Sequence, residues 1–146
     1  MSFWHLASTF FYLGKIPIAP GSIGSLAALL IWQFLPLDYL IQVIILFLLF
    51  IIGIISSRKV SKELNNQDPS EIIIDEIVGM GIALFMLPHE MILYLFAFII
   101  FRILDIFKPS FIYNVQKLPN GWGIMLDDVI AGIFTWLMCQ GIYSMS

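Results

Sequence analysis

The sequence predicts an all-α fold: a polytopic membrane helix bundle of about five spans with short cytoplasmic loops, forming one domain over residues 1–146. Three observations predict it. Hydrophobic residues make up 60% of the chain and charged residues 12%, whereas soluble domains run about 45–50% and about 25%. Long stretches carry no charge at all, notably 16–37, 39–57 and 129–146. The basic residues fall between these stretches in a pattern that puts them all on one side. With mean hydropathy +0.97, so few charges cannot coat a water-facing surface. A net charge of −3 and a single cysteine argue against a nucleic-acid partner and a disulfide scaffold.

The first span is expected over 22–36; Pro17, Pro20, Gly21 and Gly24 precede or interrupt it, so a re-entrant path is an alternative. Pro36-Leu37-Asp38 reads as a tight turn into a second span, 39–56, whose stretch Tyr39–Ile55 is long and apolar enough to cross. Ser56 to Gln67 reads as a solvated segment whose cations face anionic headgroups. Ile77–Leu87 alone is about 16 Å long, too short for a hydrocarbon layer of about 30 Å. The third span is therefore extended upstream to 69–87, with Asp68 as cap, Pro69 at the first helical position and Glu71 as a capping-box acid. That extension puts Asp75 and Glu76 in its second turn. After the turn Pro88-His89-Glu90, a fourth span covers 91–107 and Pro109 stops it. The fifth, 124–143, carries Asp127 and Asp128 in its first turn, and Cys139 packs in its apolar body. No basic segment precedes an apolar core at the N-terminus, so no cleavable signal is expected.

Lys15, Arg58, Lys59, Lys62, Arg102, Lys108 and Lys117 all lie on one side in this scheme, and neither tight turn holds a Lys or Arg. The positive-inside rule makes that side cytoplasmic, with the N-terminus inside.

Five carboxylates then meet at one depth on that side: Asp75, Glu76, Asp105, Asp127 and Asp128. Acids near lipid are costly and usually functional, and neighbouring acids repel unless protonated or bridged by a cation. A hard, oxygen-seeking ion such as Mg2+ is the natural bridge and commonly also binds substrate phosphate. The competing reading is that the acids cap helix N-termini. That reading suits Asp127 and Asp128, suits Asp75 poorly, and fails for Asp105 at a helix C-terminus.

Arg102, Asp105 and Lys108 share one helix face. They form either a salt-bridge ladder or a ligand flanked by anion anchors. Gly21, Ser22, Gly24 and Ser25 lead into a helix and can present N–H groups and hydroxyls to phosphate, though small residues also let helices pack closely. Gly79, Gly81 and Gly132, about one turn beyond the acids, read as close-packing positions. His5 beside Trp4 reads first as an interfacial residue, and His89 carries no expected role.

Taken together, five segments resemble the phosphatidylglycerophosphatase A family of bacterial membrane lipid phosphatases over nearly the whole chain. They are Trp4-His5-Leu6, Pro17 through Leu26, Asp75 through Met80, Phe101 through Pro109 and Gly123 through Gly132. The resemblance implies Mg2+-dependent hydrolysis of phosphatidylglycerophosphate to phosphatidylglycerol and phosphate, on the cytoplasmic leaflet of the bacterial inner membrane. On that reading Asp75, Glu76, Asp105, Asp127 and Asp128 hold the metal. Arg102, Lys108 and the Gly21–Ser25 loop grip phosphate, Asp127 or Asp128 acts as base, and His5 assists the leaving group. A cation- or proton-coupled transporter using the same acids is the rival class, expected to hold them near the midplane. Oligomeric state is left open.

Overall fold

A computed structural model describes residues 2–146. Among them the regular structure is entirely helical: α1 (Phe3–Ser8), α2 (Pro20–Phe34), α3 (Tyr39–Glu63), α4 (Ile74–Ala83), α5 (Met91–Phe107), α6 (Ser110–Val115) and α7 (Trp122–Met145).

Local chemistry sets most of the boundaries. Pro20 occupies the first position of α2, where its missing N–H costs nothing. The Asp38 carboxylate accepts the Ile41 N–H at 3.0 Å and caps α3. Lys108 adopts a left-handed conformation (φ 40°) that ends α5 just before Pro109. Gly121 supplies the left-handed residue (φ 85°) from which α7 departs.

Two helices, α3 with 25 residues and α7 with 24, are long and apolar enough to cross a membrane. Of the other three expected spans, α2 and α5 have the expected 15 and 17 residues, and only α4 is shorter than the sequence suggested. At 1.5 Å per residue α2 and α5 are about 22 and 26 Å long, and α4, with ten residues, only about 15 Å.

The expected helix over 69–87 does not form upstream of Ile74 because that stretch is held by other partners. The Ile73 N–H donates to the Ser8 carbonyl at 2.9 Å, and Ile72 closes a turn onto Pro69 at 3.1 Å. Asp68 caps no helix but accepts from the Gln116 side chain at 3.2 Å. Glu71, expected in a capping box, faces Lys15 at 3.9 Å. Conversely, the segment expected as a solvated run after Ser56 stays helical to Glu63. Its Ser56, Ser57 and Val60 are buried, and α1 lies against it.

The short α4 sits at the centre, packed on α2, α3, α5 and α7. Ile77, Met80 and Ala83 are fully buried there, beneath Trp32, Tyr94 and Phe101. The outside is apolar: Leu40, Ile44, Phe47 and Ile51 of α3, Ile92, Leu95 and Ile99 of α5, and Phe134, Leu137 and Met138 of α7 are exposed. A surface this apolar suits lipid rather than water.

Polar groups inside the bundle satisfy the end of α4. Gln42, fully buried, donates to Pro36 O and accepts from Met86 N, both at 3.0 Å. Trp136 Nε1 donates to Phe85 O at 2.8 Å. Replacing Gln42 with Leu strands two backbone groups, an expected loss of about 1–2 kcal/mol. The check is a lowered unfolding midpoint in detergent.

Candidate metal centre

Glycines build the site. Gly79 follows Asp75 by four residues, and Gly132 follows Asp128 by four, so each glycine lies one turn from its acid on the same face. A Cβ on Gly132 would fall onto the Gly79 carbonyl; one on Gly79 would lie 2.6 Å from Asp128 O and 2.8 Å from the Phe101 ring. Only hydrogen at both positions lets α4 and α7 touch backbone to backbone. The helices run in the same direction from acid to glycine, and their carboxylates meet at the starting end.

Asp75, Asp127 and Asp128 each offer an oxygen within 4.8 Å of the others, and Glu76, Asp105 and Asp128 form a second such group that shares Asp128. All five acids expected at one depth are thus brought together. Asp75, Asp105, Asp127 and Asp128 are no more than 9% exposed.

The neutralising groups come from the end of α5. The Arg102 guanidinium pairs with Asp105. Lys108 Nζ lies 3.2 Å from Asp105 and 2.6 Å from Asp127. Burial works against the Lys108 charge, but Asp127, Asp128 and Asp105 outweigh it and raise its pKa, so it stays cationic. The salt-bridge ladder therefore exists, and it is part of the acid cluster rather than a separate surface feature.

Five carboxylates face these two cations, and several of their oxygens have no partner. Asp75 Oδ1, Glu76 Oε2 and both Asp128 oxygens are buried without a hydrogen bond, as is Arg102 Nε. Orphaned buried carboxylate oxygens are expensive. A set made only of oxygens fits a hard divalent cation better than zinc or copper, which favour nitrogen and sulfur.

Two local placements differ from the sequence reading. Asp75 and Glu76 lie in the first turn of α4, not the second, because that helix starts late. Asp127 and Asp128 lie beyond the first turn of α7, because that helix starts early. The helix-dipole reading therefore passes from the second pair to the first. It leaves Asp128, the least exposed acid at 1%, without a capping role.

The glycine–serine segment divides. A Cβ on Gly21 would lie 3.0 Å from both Arg102 Nη1 and Glu76 Oε1, so the start of α2 opens onto the site. Gly24 packs against Ile73 and Glu76, and the buried Ser25 hydroxyl donates to Gly21 O at 2.9 Å. Ser22 is half-buried. Left-handed residues flank this region at Ala19 (φ 46°) and Lys108 (φ 40°), uncommon for residues other than glycine and typical of functional sites.

His5 stands apart from the acids in its recorded contacts. Its Nδ1 lies 3.4 Å from Ser2 Oγ and 3.5 Å from Glu63, joining α1 to the end of α3. Asp68, read from sequence as a cap, lies within electrostatic range of Lys108, Asp105 and Asp127. Nothing in its sequence spacing signals this, because a loop carries it there.

The sequence profile of the family described as phosphatidylglycerophosphatase A matches residues 6–143. A phosphatidylglycerophosphatase A of Escherichia coli (strain K12) is 36% identical over 135 residues, covering 90% of this chain and 78% of its own. One from Haemophilus influenzae is 37% identical over 142 residues, covering 94% and 87%. A Bacteroides thetaiotaomicron protein named as a candidate phosphatidylinositol-3-phosphatase is 34% identical over 142 residues, covering 91% and 89%. No solved structure matches.

Proposed function

Because the chain belongs to the phosphatidylglycerophosphatase A family and is a phosphatase, we propose that it cleaves the terminal phosphate from phosphatidylglycerophosphate, leaving phosphatidylglycerol. The observation that carries this reading to the site is the set of buried, unpartnered carboxylate oxygens on Asp75, Glu76 and Asp128 beside Arg102 and Lys108. The same observation supports Mg2+ as the cofactor, held by Asp75, Glu76, Asp105, Asp127 and Asp128. Such an ion, when bound, polarises phosphate and lowers the pKa of an attacking water.

The protein's own groups do the rest. Arg102, with one guanidinium nitrogen unpartnered and its tip over Gly21, holds the non-bridging phosphate oxygens against the start of α2, where N–H groups and the helix dipole favour an anion. Ser22, on the first turn of α2, adds a hydroxyl. Asp127, fixed between Lys108 and the Asp128 N–H (2.9 Å), accepts the proton of the attacking water. Lys108 donates toward the departing alkoxide. His5 is assigned to docking α1 on α3 through Glu63 rather than to the leaving group.

All seven basic residues gather with the acids in the five-span scheme, so the site belongs on the cytoplasmic leaflet of the bacterial inner membrane. In this reading α2 and α5 are short spans and α4 is a buried half-span. A coupled transporter would need the acids near mid-membrane. They gather instead at the starts of α4 and α7 and the end of α5.

The test is phosphate release from phosphatidylglycerophosphate by purified protein in micelles. Release should stop on chelation and return with Mg2+. Release that survives exhaustive chelation would remove the metal from the mechanism, and no release at all would remove the substrate.

A further inference from the structure

A cationic groove of about 420 Å³ lies beside the acid cluster, lined by Arg58, Ser61, Lys62, Asp68, Gln116 and Lys117 among others. Arg58 and Lys62, four residues apart on α3, share one face. Among the described residues neither has an ion-pair partner, and the one acid in the groove, Asp68, is held by Gln116 at 3.2 Å. A second hollow adjoins through the same Arg58 and Lys62 and runs out to Ile54, Ile55 and Trp122. The groove thus connects an apolar flank to a cationic end.

Its other wall includes Ile124, one helical turn, about 5 Å, before Asp127 and Asp128. Asp68 reaches electrostatically from the groove to Lys108 and Asp127. An anion in the groove would therefore sit next to, but outside, the carboxylate cluster.

We propose that Arg58, Lys62 and Lys117 form a second phosphate subsite, which binds the uncleaved phosphodiester of the lipid headgroup while the terminal monoester lies at the acids. This rests on the proposed activity and specifies its substrate class: a glycerophospholipid bearing both a diester and a monoester. The two phosphates of such a lipid are joined by one glycerol unit, which suits neighbouring sites a helical turn apart. The apolar flank at Ile54, Ile55 and Trp122 faces the side from which acyl chains would enter.

The experiment compares wild type with the double variant Arg58→Gln, Lys62→Gln in detergent micelles. KM for phosphatidylglycerophosphate should rise about tenfold while kcat stays within about twofold. With phosphatidic acid, which has the monoester alone, the double substitution should act at least fivefold more weakly. A wild type that ignores phosphatidic acid supports the proposal equally, since the diester is then required for binding.

An unmoved KM, an equal effect on both lipids, or loss of kcat alone would overturn it. Stimulation by added phosphatidylglycerol that vanishes in the double variant, with KM unchanged, would assign the groove to a separate anionic lipid and also overturn it. Wild-type protein releasing no phosphate would instead defeat the underlying activity, a distinct outcome.

Discussion

Asp128→Asn is expected to lower phosphate release by about three orders of magnitude, the scale of losing one electrostatic element of a preorganised site. Metal-free protein should nevertheless be at least as stable as wild type. The two effects separate because Asp128 is 1% exposed and neither of its oxygens has a hydrogen-bond partner. Cutting one half of a buried ion pair destabilises by about 3–5 kcal/mol. Here no hydrogen-bond partner is stranded and Lys108 keeps Asp105 and Asp127, so removing one of several crowded negative charges relieves repulsion. Thermal unfolding with and without Mg2+ provides the second reading. An ion at a hundred times its dissociation constant stabilises the folded state by about 2.7 kcal/mol. That increment should be present in wild type and absent in the variant. A variant that keeps both activity and the Mg2+ increment would show that Asp128 is not a ligand.

Gly132→Ala should be among the most damaging single methyls at the site. Its Cβ would press on the Gly79 carbonyl, a backbone atom with no rotamer to yield, so α4 and α7 must separate. An expected cost of about 3 kcal/mol follows from overpacking. Folded molecules should also turn over about a hundredfold more slowly, since a 1 Å shift of catalytic groups costs that much. Gly141→Ala on the same helix meets nothing within 4 Å and should be neutral or slightly stabilising. Unfolding midpoints and rates measured on both variants decide it. Equal behaviour would mean that the crossing tolerates a side chain.

Residues with a strong local signal were legible before any coordinates. The turn at Pro36-Leu37-Asp38 led into α3 at Tyr39, Pro109 followed the end of α5 at Phe107, and 91–107 formed as a helix to the residue. The five acids were also legible, because charge in an otherwise uncharged chain has few explanations. The start of α4 was not. Asp68, Pro69 and Glu71 spell a helix start, but Ser8 takes the Ile73 N–H and Lys15 takes Glu71, and partners so distant in sequence leave no mark on spacing. The short α1 and α6 and the contact of Gly21 with Arg102 were missed for the same reason. Each depends on tertiary neighbours rather than on periodicity. The helices α5 and α7 came out close to expectation, and α3 began where expected, because apolar runs between charges are self-sufficient signals.

The central half-helix carries one more implication, for biogenesis. A ten-residue segment cannot partition into hydrocarbon by itself, because backbone groups at its end would be left without acceptors or donors. Those near its exit are satisfied by Gln42 of α3 and by Trp136 of α7. The exit of α4 is therefore complete only when both α3 and α7 have packed against it, and a chain cut before residue 136 would leave the Phe85 carbonyl without its donor.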